Sequence, residues 1–145
     1  MRVATSTRLV KRLWPEPDVN RLDPRGQPGQ SAIMLVFKIF RRPEWEAFQG
    51  DGKTKGAPID VGDGFIHFST AGQLAETLAL HFSGEDDLLI LALDAEQLGD
   101  ALRWEPSRGG NLFPHLFREM LLSDILWARP CPLGQDGHII PEGAS

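Results

Sequence analysis

Apolar residues are grouped into strand-like runs from Met34 onward. Residues 35–40 and 88–93 are nearly continuous apolar runs of strand length, and the second predicts a strand that is covered on both faces. Further strands are predicted at residues 65–68, 101–105 and 125–128. Pro130 and Pro132 should end the last of these strands.

Two main helices are predicted from capping residues and apolar spacing. The first covers residues 42–48, where Pro43 suits the first turn. The second begins after Thr70 and continues through Phe82, with Gln73 completing a capping box. Apolar residues at helical spacing predict that one face of this second helix is buried, and Gly84 should end it.

The remaining pattern predicts a polar loop at residues 50–56 and a helical turn at residues 94–98. Together these elements indicate an α+β fold. We expect one small domain over residues 34–142, with a mixed β-sheet and two main helices.

Residues 1–33 differ from the rest of the chain. Prolines and glycines punctuate them and their periodicity is poor, so we expect a disordered leader or a non-native extension that precedes a true start at Met34. A transit peptide is a third explanation, which the three acidic residues in this segment disfavour.

Composition narrows the class of protein. The 145 residues fit one domain, and the net charge of −5 argues against general nucleic-acid binding. The single cysteine, Cys131, excludes an internal disulfide framework and favours a reducing compartment. No apolar run is long enough to span a membrane, so we expect a cytoplasmic protein.

The first candidate site lies at the predicted junction of the 65–68 strand and the second main helix. His67 comes from the strand, and Ser69 and Thr70 place two hydroxyls beside the free N–H groups of a helix start. These residues could bind an anion or a ribose. The ordinary alternatives are a buried imidazole bonded to the backbone and simple helix capping.

Two further residues are candidates for acid–base chemistry. Glu105 stands at a strand end next to Trp104, where desolvation would make its carboxylate more basic, so that it could act as a base or hold a sugar hydroxyl. His81 lies at the edge of the apolar helix face. The structural alternatives are an ion pair of Glu105 with a nearby arginine and a histidine that stabilises a helix end.

A third group lies in the segment that follows Glu105. Ser107, Arg108 and Gly109 supply N–H groups and a guanidinium suited to a phosphate or carboxylate, and His115 follows soon after. The histidines and Glu105 could instead form a metal site, but they lack local ligand spacing and we assign no metal.

These segments together resemble a bacterial family known as domain of unknown function 952. The matching segments are 36–39, the helix around Trp45, 56–60, 63–70, 81–82, 98–99, 104–110, 113–116 and 125–127. Phe117 departs from the family pattern, which often has a tyrosine there, so any contact that its hydroxyl makes to a ligand would be lost.

The pattern is also similar, more distantly, to the ADP-ribosyltransferase superfamily. That resemblance implies an ADP-ribosyltransferase-like fold and NAD as a substrate. It would place His67 at the adenine-side ribose, Glu105 at the nicotinamide ribose or acceptor, and Arg108 at the diphosphate. His81 is the candidate for the second-strand position.

Two functions follow as hypotheses. The first is a transferase or glycohydrolase that acts on NAD or a related phosphorylated nucleotide, with Glu105, His67 and His81 as catalytic residues; NAD is then a substrate, and no cofactor is assigned. The second is a non-catalytic binding or regulatory module that uses the same pocket for a small nucleotide-like ligand. The oligomeric state does not follow from the sequence.

Overall fold

A three-stranded antiparallel sheet with a long strand at its centre organises the fold. In the computed structural model, which describes residues 33–144, the strand order of this sheet is β1-β4-β8. The strands are β1 (Leu35–Arg41), β2 (Lys53–Thr54), β3 (Ile66–His67), β4 (Leu88–Asp94), β5 (Leu102–Pro106), β6 (Leu112–Leu116), β7 (Met120–Leu121), β8 (Ile125–Cys131), β9 (Leu133–Gly134) and β10 (Gly137–His138). The predicted leader lies, except for Ile33, outside the described residues.

Four helices accompany these strands in the described part of the chain. They are α1 (Arg42–Asp51), α2 (Pro58–Asp63), α3 (Ala71–His81) and α4 (Ala95–Leu98). Short 3-10 turns occupy Gly99–Ala101, Arg108–Gly110 and Leu122–Asp124. α1 and α3 are the two main helices that the sequence predicts. The backbone N–H of Thr70 donates to the Gln73 side chain at the start of α3, as the capping box requires.

Both faces of the central sheet are covered, as the apolar run in β4 predicts. One face carries Phe37 and Ile90 and packs against Leu74 and Leu78 of α3. The side chains that alternate with these along each strand point to the opposite face. That face packs against α1 and a second sheet. The residues buried between these layers include Val36, Phe40, Phe48, Ile66, Leu91, Leu102 and Leu116.

The second sheet has the order β3-β6-β5 and is also antiparallel. Its Ile66, Leu102 and Leu116 face the core, so alternation places His67 and His115 on its other face. One isolated bridge, Phe37 to Ser69, joins it to β1 through two backbone hydrogen bonds of 2.8 and 2.9 Å. Within residues 33–144 this bridge is the one backbone pairing between the two sheets, which otherwise contact each other through buried side chains.

The α+β class and the two main helices are confirmed, but the sheets are not mixed. All strand pairs among residues 33–144 are antiparallel. A parallel pair needs a crossover connection that brings the chain back to the same end of the sheet, and the described strand pairs are joined without one.

Two local predictions differ from the structure. The predicted loop at residues 50–56 holds the end of α1 and all of β2. β8 continues past Pro130 to Cys131, because it is an edge strand whose proline need not donate. The residue pattern does not predict α2 or β6.

Candidate functional site

A cavity of about 500 Å³ opens where β1 and β3 separate. Its walls come from β1, the start of α2, β3, α3, β6 and the segment between β5 and β6. Five predicted site residues line it: His67, Ser69, His81, Ser107 and His115. Lys38 and Asp60 also line it, and no prediction included them.

The carboxylate of Asp60 is the most fully bonded group at the cavity. Its Oδ2 accepts from Lys38 Nζ at 2.6 Å and from the Ala57 N–H at 2.7 Å. Its Oδ1 accepts from the backbone N–H of His67 at 3.1 Å and from the Nδ1 of that histidine at 2.6 Å. Four donors thus hold a side chain that is fully shielded from solvent.

Burial and their mutual contact shift the pKa values of Asp60 and Lys38. Burial alone would raise the pKa of Asp60, but the hydrogen bond from His67 and the charge of Lys38 outweigh it, so the pKa lies below its usual 3.8. Burial lowers the pKa of Lys38 from its usual 10.5, and the Asp60 charge opposes this only in part. Asp60 is therefore an ionised acceptor at neutral pH.

His67 is held by its Nδ1 and lies between two carboxylates. Because ionised Asp60 can only accept, the imidazole donates its Nδ1 proton to it. Proton exchange with a ligand is then left to Nε2, which lies 3.1 Å from Asp63 Oδ2. The ring is one-third exposed, so the geometry favours a histidine that can act as an acid or base.

A second carboxylate–imidazole pair lies beside the first. His115 Nδ1 is 2.8 Å from Glu105 Oε1, and the histidine side chain is buried whereas that of Glu105 is partly exposed. The rings of His67 and His115 meet edge to face, with centroids 5.3 Å apart. Phe65 packs against both, at 4.7 and 4.3 Å.

The hydroxyl of Ser69 is the third polar group of the cavity. Ser69 is buried, and its Oγ lies 3.1 Å from Thr77 Oγ1 on α3. His81 lines the cavity from the last turn of the same helix, and Ser107 lines it from the loop after β5. These groups surround His67 and His115 with hydrogen-bonding partners for a polar ligand.

Other predicted residues lie apart from the cavity lining. Thr70, Glu105 and Gly109 are not among the lining residues, and Glu105 contacts the lining residue His115. The backbone of Arg108 lies in a 3-10 turn, but its side chain is outside what the structure describes. Phe117 packs 5.1 Å from Phe65 and beneath the guanidinium of Arg103.

Sequence patterns do contain a signal for the two missed residues. Lys38 is the single charge inside the apolar run 35–40, a position that is costly unless the charge is paired. Asp60 follows an Ala-Pro-Ile segment in which Pro58 suits a helix start. Their partnership across 22 positions follows only from the fold.

No group of three or more histidine, cysteine or acidic side chains within residues 33–144 is arranged to hold a metal ion. The carboxylates and imidazoles at the cavity bond to each other and to Lys38 instead. Their geometry favours proton transfer between hydrogen-bonded partners.

Comparison with known proteins places the chain in a family. The model of a family described as a protein of unknown function, DUF952, matches residues 39–128. The chain belongs to this family. The resemblance seen in the sequence motifs is thereby confirmed. No curated protein matches the chain.

Solved structures are similar to the chain as well. The chain is similar to the crystal structure of protein CC0527 from Caulobacter crescentus, with 44% identity and a TM-score of 0.69 over 72% of this chain and 91% of that chain. The solution structure of the same protein has 44% identity and a TM-score of 0.66, covering 72% and 90% of the two chains. These similarities confirm the small α+β fold.

Proposed function

We propose that this family member is a transferase or glycohydrolase that acts on NAD or a related phosphorylated nucleotide. The observation that carries the proposal is the pair of carboxylate-bound imidazoles, His67 and His115, in contact at one cavity. The cavity volume of about 500 Å³ lies within the range of small-molecule sites.

The bond arrangement suits a dissociative transfer. The glycosidic C–N bond would break with its electron pair leaving on the base, and the ribosyl group would gain positive charge. The charge of Asp60 is offset by Lys38, whereas Asp63 places a half-exposed carboxylate beside His67 Nε2, which favours a cationic intermediate nearby. His67 Nε2 would take the proton of the attacking water or hydroxyl as the new bond forms.

The structure changes the role proposed for Glu105. Its carboxylate bonds to His115 and does not line the cavity, so it would position that imidazole and not touch the ribose. His67 becomes the residue proposed for acid–base catalysis, with Asp60 holding its tautomer.

Release of the free base from NAD tests this proposal. We expect His67→Gln to lower the release rate by about 10²–10⁴-fold while NAD still binds in calorimetry. His138→Gln is the matched control, because His138 bonds to the Glu85 carbonyl and does not line the cavity. Equal rates in wild type and His67→Gln would overturn the catalytic role.

A binding module is the second candidate, and one observation favours it. The carboxylate predicted to act on the substrate, Glu105, is already bonded to His115. Tight binding of NAD or ADP-ribose without release of the base would favour this candidate. If neither nucleotide binds at millimolar concentration, the nucleotide proposal is wrong for both candidates.

A further inference from the structure

β1 and β3 begin to pair at the Phe37–Ser69 bridge and then separate. In an antiparallel ladder the next pair of the same type would join Ile39 to His67. That pair is not formed, because His67 has other partners. Its backbone N–H donates to Asp60 Oδ1 and its carbonyl accepts from Lys38 Nζ at 3.1 Å.

Ile39 is the other half of this missing pair. Phe37 exchanges both its backbone hydrogen bonds with Ser69, and residues two apart on a strand point their N–H and C=O groups to the same edge. The backbone groups of Ile39 therefore face away from β4 and toward the cavity that Ile39 lines. Within residues 33–144 no hydrogen bond engages them.

This edge is buried but short. Ile39 is 5% exposed, and buried backbone donors and acceptors need partners. A whole peptide strand does not fit, since Ser69 occupies the edge at Phe37, and the N–H of Arg41 already donates to Glu44 where α1 begins. Among the described residues of this edge, the N–H and C=O of Ile39 are therefore left as one donor–acceptor pair without a hydrogen bond.

We propose that the Ile39 backbone recognises one planar group that carries a hydrogen-bond donor and an acceptor side by side. In an extended residue the N–H and the C=O are adjacent on the same edge, so the complementary group is an amide, a lactam or the matching edge of a nucleobase. The group would lie opposite His67, across the gap between β1 and β3.

The inference deepens the proposed function and rests on it only in taking this cavity as the ligand site. It adds that recognition of the ligand's planar group comes from the backbone of β1. Side chains from β3, α2 and β6 are then left for chemistry at the neighbouring part of the ligand.

Small lactams test the inference without the nucleotide. The probe is 2-pyridone, which has an adjacent N–H and C=O, and the matched probe is N-methyl-2-pyridone, which lacks the donor. We expect 2-pyridone to shift the Ile39 amide proton resonance saturably, and to bind about tenfold more tightly than its methylated form. Equal affinities, or no shift at Ile39 at millimolar probe, would overturn the inference.

A backbone variant supplies the second measurement. Replacing Ile39 by its α-hydroxy acid turns its N–H into an ester oxygen, and we expect about tenfold weaker binding of 2-pyridone. The same replacement at Leu35 is the control, because Leu35 has the same orientation in β1 but does not line the cavity. Unchanged binding by the Ile39 ester would contradict the proposal; if that variant fails to fold, the wild-type resonance decides.

The outcomes separate this inference from the proposed function. If 2-pyridone binds at Ile39 and NAD does not bind, the nucleotide proposal fails and the backbone recognition stands. If NAD is cleaved while 2-pyridone leaves the Ile39 resonance unchanged, the backbone recognition fails alone.

Discussion

A buried carboxylate destabilises a protein unless its charge and its lone pairs have partners. Asp60 meets this condition with donors from four groups on three parts of the chain, namely β1, the loop before α2 and β3. The same bonds that stabilise the carboxylate also orient the His67 imidazole. Stability and chemistry at this residue are therefore tied together.

Asp60→Asn should destabilise the fold by about 3–5 kcal/mol, because it leaves Lys38 buried without a counter-charge. Chemical denaturation with urea measures the change. Asp63→Asn is the matched control, since that side chain is about half exposed, and its effect should stay within about 0.5 kcal/mol. The double variant Lys38→Met with Asp60→Asn should recover part of the loss, and a strictly additive loss would contradict the pairing.

The low pKa of Asp60 also predicts how stability depends on pH. The folded pKa lies below the unfolded value of 3.8, so the contribution of Asp60 is complete above pH 3.8 and disappears as the pH falls through the folded pKa. Acid titration of unfolding free energy should therefore show a steeper loss in wild type than in Asp60→Asn. Parallel curves would be inconsistent with this pKa direction.

At the level of elements, α2 is the part of the fold that delivers Asp60. The preceding loop passes so close to Asp60 that a Cβ on Gly56 would lie 2.3 Å from Oδ2, and Gly56 has a φ of +102°. Only glycine satisfies both conditions without displacing the carboxylate.

Gly56→Ala should therefore destabilise the protein by about 1–3 kcal/mol and move the His67 ring resonances, because Asp60 must shift. Thermal unfolding and histidine NMR spectra measure the two effects. Gly62→Ala within α2 meets no atom within 4 Å and should be neutral or stabilising by about 0.5–1 kcal/mol. Similar destabilisation by both changes would show that close approach to Asp60 is not the cause.

The predictable elements are those whose residues carry their own periodicity. β1, β4 and α3 are recovered because apolar runs and caps are local properties. β6 is not, because Pro114 interrupts a strand pattern, yet its carbonyl still accepts from Phe68 and only one ladder bond is lost. The six-residue α2 has too few residues to show a helical period.

At the scale of the whole molecule, the site is partly predictable. The sequence brings forward His67, Ser69, His81, Ser107 and His115, and all five line one cavity. It does not identify Lys38 and Asp60 as site residues, because their ion pair joins segments that are distant in the sequence. The catalytic and binding roles of the predicted site residues stay predictions, as does the cytoplasmic location. Within residues 33–144 no helix is long and apolar enough to cross a membrane.

Cys131 should report unfolding of the whole domain. It is fully buried at the end of β8, and burial raises the pKa of its thiol to about 11. A thiol reagent such as a disulfide dye should label the native protein only at its unfolding rate, and the denatured protein at once. Labelling of native protein at the rate of a free small thiol would contradict this burial.

Lys38 has a consequence for how the chain aligns as it folds. Because neighbouring side chains on a strand point to opposite faces, sliding β1 by one residue against β4 would carry the ammonium group to the other side of the sheet, away from Asp60. The misaligned chain would bury a charge without its counter-ion, whereas apolar residues tolerate either alignment. One lysine within an apolar strand thus favours the correct register of β1 against β4 over a register shifted by one residue.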